Sequence, residues 1–142
     1  MRTPSLCALL WLAACASPEP APRLGGDYAR LEGTWVVTYN EAYGWPLPER
    51  NGALFVINGD RIKRSTDAGD QRFSLDESAT PKRIDFYDEQ QAAILGIYRL
   101  DGDELVICTN GGAGEVRPSR FRTALFSVSN TILTRFKRSH LP

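Results

Sequence analysis

From residue 31 onward the chain alternates between short runs of branched and aromatic residues and clusters of Gly, Asn, Asp and Ser, with no sustained helical period. That spacing belongs to an all-β barrel or sandwich. In GTWVVTYN, Trp35, Val37 and Tyr39 fall on one face and Val36, Thr38 and Asn40 on the other, because successive strand side chains point to opposite sides. ALFVIN runs into Asn58-Gly59-Asp60 and returns as RIKRS. Asn-Gly predicts a tight hairpin, since both residues of the favoured turn take positive φ. Further strands are predicted in QRFSL, RIDFY, AAILGIYRL, ELVICT, TALFSV and TILTRFKR. AAILGIYRL and ELVICT, joined through Asp101-Gly102-Asp103, carry apolar residues on both faces and are expected to be the most buried. About eight to nine consecutive antiparallel strands with short links predict a single up-and-down barrel, which closes on itself and so removes its edges. About 110 residues suffice for one such domain, burying roughly two-thirds of its extended surface.

The first residues follow a different pattern. One basic side chain, Arg2, precedes an apolar run from Leu6 to Ala14. The run is too short to span a bilayer, which takes about 20 residues, and its charged start, brief apolar middle and small-residue end are those of an export signal. Leu12-Ala13-Ala14-Cys15 resembles the bacterial lipobox, which implies cleavage before Cys15 and a lipidated thiol at the new N-terminus. Two or three acyl chains there would make a lasting membrane anchor. The absence of an acidic residue at Ala16 and Ser17 leans, by resemblance to lipoprotein sorting in Gram-negative bacteria, towards the outer membrane. Ala14-Cys15-Ala16 also fits the A-x-A rule of an ordinary signal peptide, which would release a soluble periplasmic or secreted protein. Residues 17–22, SPEPAP, read as a semi-rigid spacer. The expected organisation is therefore signal 1–14, lipidated cysteine and spacer 15–30, barrel 31–138 and tail 139–142.

Gly33-Thr34-Trp35 resembles the G-x-W that opens lipocalin barrels. The resemblance implies that Trp35 plugs the closed end beneath a basic residue of the last strand, Arg135 or Lys137. LEGTW, GWPLP, RIDF, ILGIYRLDGDELVIC and RPSRF are similar, in order and spacing, to a family of uncharacterised lipocalin-like domains abundant in planctomycete genomes. That implies a lipocalin-like barrel with no catalytic residues to carry over. Gly33, Trp35 and Arg135 are expected to be structural, and Gly96 to allow a strand bend.

Chemistry-bearing residues are few. His140 is the single histidine and lies near the C-terminus, so histidine-based triads, Cys-His zinc clusters and HExxH are excluded, and neither a metal nor a cofactor is expected. Asp60, Asp101 and Asp103 fall in expected turns. Asp85 and Glu41 are carboxylates that nothing in the sequence brings together. Gly112-Ala113-Gly114 lacks the third glycine and the helix of a phosphate cradle. With Cys7 lost with the signal and Cys15 lipidated, Cys108 has no intramolecular partner and reads as a small buried hydrophobe. Net charge is zero, yet from Arg117 onward there are six basic residues and no acidic ones, against ten basic and seventeen acidic between Cys15 and Val116. A neutral exported protein is a poor nucleic-acid ligand, so the basic tail reads as a solvated, paired face.

The remaining chemistry is that of a container. A barrel of this size holds its own side chains or one small ligand. Trp35, Tyr39, Phe55, Phe86 and Tyr98 are the candidate lining residues, with Arg117 a candidate for an anion. Binding or carriage of a small apolar ligand is the leading expectation. The alternative is an interaction module with a packed interior, anchored on partners through Tyr43-Gly44-Trp45.

Overall fold

The computed structural model describes residues 25–112, 115–124 and 130–140; the expected signal, Cys15 and the proline-rich residues 17–22 lie outside them. A single-turn helix α1 (Asp27–Leu31) precedes nine strands: β1 (Gly33–Ala42), β2 (Trp45–Pro46), β3 (Leu54–Asn58), β4 (Arg61–Arg64), β5 (Gln71–Asp76), β6 (Arg83–Tyr87), β7 (Ala93–Asp101), β8 (Glu104–Asn110) and β9 (Thr131–Arg138). Every pairing is antiparallel, and each strand from β3 to β9 pairs with its neighbour in sequence. β1 pairs with β3 along its first half and with β9 along almost all of its length. The sheet thereby closes into an eight-strand up-and-down barrel of lipocalin-like form, with β2 as an extra strand on the end of β1.

Turn chemistry sets the register. The β3–β4 and β7–β8 hairpins are alike: Asn58 pairs with Arg61 and Asp101 with Glu104, leaving Gly59-Asp60 and Gly102-Asp103 as two-residue loops. Only the glycine of each has positive φ, 58° and 55°, so Asn58 ends a strand rather than entering the turn. The β1–β2 loop is Tyr43-Gly44, with φ of 55° and 80°. Positive φ at both positions is the twist-matched hairpin geometry, here with a bulky residue in the place where Asn is usual.

The pleat separates two apolar clusters. One fills the barrel and includes Trp35, Ile57, Phe73, Phe86, Tyr98 and Phe136. The other lies on the outer face of β7, β8 and β9, where Ile97, Val106, Cys108 and Leu133 pack against Tyr39 and Phe121. As the sequence implied, β7 and β8 are apolar on both sides, and Leu105, Val106, Ile107 and Cys108 are all buried. Gly96 lies where three strands crowd: a Cβ there would sit 3.0 Å from the Ile84 carbonyl and 3.1 Å from that of Cys108.

Two expectations about boundaries change. Thr123 and Ala124 of TALFSV are not in a strand, and the rest of that segment lies outside the described residues. The domain also begins before residue 31, because α1 is part of it: Asp27 is 2% exposed and Leu31 is fully buried in the barrel cluster. The spacer reading of residues 27–30 fails because one turn of helix leaves no periodicity to detect.

Candidate functional site

One end of the barrel is shut by interlocking contacts. Trp35 is fully buried, and its indole N–H donates to the Leu31 carbonyl at 2.7 Å. The guanidinium of Arg138 lies 4.3 Å from the ring centroid. It also donates to the carbonyls of Glu32 at 2.6 Å and Arg30 at 2.5 Å and to the Asp103 carboxylate at 2.9 Å. One side chain of the last strand thus ties α1, the start of β1 and the β7–β8 hairpin together. Gly33, at φ 123°, passes so close that a Cβ would stand 3.2 Å from Arg138 Nη1. The plug cation is therefore Arg138, not Arg135 or Lys137: Arg138 is the register partner of Trp35, whereas Arg135 pairs with Tyr39 and covers that ring at 5.4 Å.

Beneath the plug sits a buried carboxylate. Asp27 accepts from Lys82 at 2.6 Å, Tyr98 Oη at 2.7 Å and Arg30 at 2.8 Å. Burial pushes its carboxyl up, but the bonds from Lys82, Tyr98 and Arg30 outweigh this and hold it below the usual carboxylate range. Burial, together with the bond to Asp27, pushes the Tyr98 hydroxyl far above the usual phenol range.

The opposite end is open. A cavity of about 990 Å³ enters the barrel there, at the top of the ~300–1,000 Å³ range usual for small-molecule sites. Its walls include Val37, Phe55, Ile62, Phe86, Ile107 and Phe136, and its rim carries charges of both signs, among them Arg50, Arg64, Asp67 and Glu89. The opening follows from the topology. β4 and β5 pair only at Arg61–Arg72 and Ile62–Gln71, so Lys63 and Arg64 have no partner on β5 and the seam parts above them. Arg64 shares its face of β4 with inward-facing Ile62 and leans over the Phe55 ring at 5.9 Å.

A bulge decides what enters this cavity from β1. The register with β9 shifts between Val37 and Tyr39, and an extra residue reverses the alternation of the strand beyond it. Tyr39 consequently faces outward, against the outer cluster, with its hydroxyl on Glu41. Asn40 faces inward and lines the cavity at 5% exposure. Its Nδ2 donates to Thr134 Oγ1 at 2.7 Å, while its Oδ1 has no partner. Thr109 and Thr134 also line the cavity, and with Asn40 they add an uncharged polar stripe among the apolar core side chains.

Of the expected lining residues, then, the structure brings Phe55 and Phe86 to the cavity. Trp35 and Tyr98 belong to the shut end, and Tyr39 is outside the barrel. Arg117 is also outside, held bidentate by Asp85 at 2.5 and 3.0 Å and bonded to the Gly96 carbonyl at 2.6 Å, so its anion site is filled by the protein itself. Glu41 is engaged by Tyr39 and Thr123. Burial pushes the Cys108 thiol up to about 11, which leaves it an unreactive core group. Asn40, Arg64, Asp27 and Arg138 were not singled out from sequence. The one available signal was Asn40 itself, a poor strand former in the middle of a strong strand.

Tyr43 and Trp45, at the tip of the β1–β2 hairpin, are 50% and 65% exposed. Among the described residues no group of three or more His, Cys, Asp or Glu is placed to hold a metal ion, and no helix is long and apolar enough to cross a membrane. The fold and cavity together define the class, a lipocalin-like barrel shut at one end and open at the other. No family model, curated protein or solved structure matches the chain.

Proposed function

We propose that this protein is an exported lipoprotein, anchored through Cys15 in the cell envelope at the outer membrane, whose barrel carries a small apolar ligand without transforming it. It would stand among the lipocalin-like domains its motifs resemble. The observation that supports carriage is the cavity of about 990 Å³, whose lining combines barrel-core side chains such as Phe55, Ile62, Phe86 and Phe136 with charged residues. A ligand gaining ~25 cal/mol per Å² of buried apolar surface reaches micromolar affinity in such a space after association costs. Native mass spectrometry of protein taken from its own membrane, with tryptophan fluorescence against a fatty-acid probe, tests this: a co-purifying ligand and a saturable response are expected. A ligand-free spectrum with no response would overturn carriage. Mass spectrometry of the same material should find acylated Cys15 at the N-terminus; a mature chain starting at Ser17 would instead make the protein a soluble one.

The exposure of Tyr43 and Trp45 favours a second reading, an interaction module displayed on the envelope. Aromatic side chains of this kind are typical binding anchors. The two readings part on Trp45→Ala, which would abolish partner capture under the second and leave probe binding intact under the first.

A further inference from the structure

The cavity contains an unfinished hydrogen-bond circuit. Asn40 is 95% buried by side-chain packing and strand pairing (5% exposed), and its Oδ1 faces no donor. Buried acceptors in native proteins are almost always met, so each exception calls for an explanation. Its Nδ2 is spent on Thr134 Oγ1, 2.7 Å away, and Thr134 is its register partner on β9. A threonine hydroxyl that accepts one bond still has its own hydrogen to give. The pair therefore offers one acceptor, Asn40 Oδ1, and one donor, Thr134 Oγ1, side by side on the cavity wall. A single oxygen that donates to the first and accepts from the second would close the ring.

We propose that the occupant of the barrel is an apolar molecule bearing a hydroxyl group, bound at Asn40 and Thr134. This rests on the carrier reading and names its ligand class. A hydroxyl meets both demands through one atom. An ether or ketone oxygen can accept from Thr134 but leaves Oδ1 unmet, and a hydrocarbon meets neither. An ammonium group would satisfy Oδ1 but has no lone pair with which to accept from Thr134. The walls around the stripe, with Phe55, Phe86 and Phe136, suit the apolar remainder.

Decanol and its methyl ether, which has no hydrogen to donate, separate this from simple apolar filling. Both are titrated into the full chain against displacement of an anilinonaphthalene sulfonate dye. Decanol is expected to bind roughly tenfold tighter, the effect of one well-made buried bond. In Asn40→Leu/Thr134→Val, which removes both polar groups at nearly constant shape, the two should bind alike while the ether keeps its affinity. Equal affinities in the unsubstituted protein would mean that Asn40 merely holds water, and would overturn the hydroxyl assignment while leaving carriage standing. Binding of neither would overturn both.

Discussion

At the end of the barrel where Trp35 lies, every polar side chain named above has a partner: the indole on Leu31, Arg138 on two carbonyls and a carboxylate, Asp27 on three donors. At the other end the seam between β4 and β5 parts, a cavity remains and the buried Asn40 keeps an unmet oxygen. The same eight strands form both ends, so the difference comes from side chains and turns. One end is closed by paired groups; the other keeps a space and an unpaired acceptor, which is where the proposed carriage would act.

The largest test of this division is Trp35→Ala. Deleting a fully buried large aromatic should cost about 3–5 kcal/mol, read in urea denaturation. Arg138 would also lose the ring beneath it. A loss below about 1 kcal/mol would mean that the plug does not hold the shut end together, given what buried aromatics ordinarily contribute.

Asp27 gives a pH-dependent version of the same test. Its folded-state pKa lies below the unfolded value of about 3.9, so its contribution is fully present above that value and is lost as pH falls through the folded-state pKa. Asp27→Asn should therefore cost about 1.5–3 kcal/mol near neutral pH, the range for bonds to a charged group. The gap to the unsubstituted protein should close in strong acid. A difference that stays constant from neutral to acid pH would show that charge at Asp27 is not what matters.

A matched pair of enlargements compares the ends directly. Ile57 belongs to the packed cluster next to β1, while Ile132 lines the cavity. Ile57→Phe should cost about 1–3 kcal/mol through overpacking. Ile132→Phe should cost less than about 1 kcal/mol, because the added ring has space to enter, while weakening probe binding. Equal costs would indicate that the cavity is not available space.

What the sequence made legible was what depends on local pattern. The eight barrel strands, the places of the β3–β4 and β7–β8 hairpins, the buried β7–β8 pair and the place of Trp35 follow from alternation and turn residues, whereas the strand expected at TALFSV does not form at Thr123 and Ala124. What it hid depended on one residue of register. Alternation read straight through GTWVVTYN puts Tyr39 beside Trp35 and sends Asn40 outside, and the bulge after Val37 reverses both. Nothing in Val37-Thr38-Tyr39 announces it, because a bulge answers to the partner strand rather than to its own residues. The same register hands Trp35 to Arg138 instead of Arg135. Arg117 and Asp85 were visible as residues, but their pairing joins positions 32 apart in sequence, a distance that local patterning does not span. Legibility therefore does not follow the two ends: Trp35 at one and Phe55 and Phe86 at the other come from local pattern, while Arg138 and Asp27 at the first and Asn40 at the second depend on long-range register and contacts.

The smallest predicted effect concerns the hairpin beside the open end. Tyr43 holds φ at 55° and is half exposed, a conformation that costs a bulky residue roughly 1–2 kcal/mol and that Asn tolerates far better. Replacing Tyr43 with Asn should leave stability unchanged or raise it by up to about 1 kcal/mol, since little buried surface is lost in exchange for relief of the backbone. That outcome would fit the interaction-module reading, in which the exposed ring serves as an anchor, since backbone strain gathers at functional sites. If Tyr43→Asn instead destabilises the protein by more than about 1 kcal/mol, the ring is part of the fold, and the hairpin should be counted with the shut end rather than with the open one.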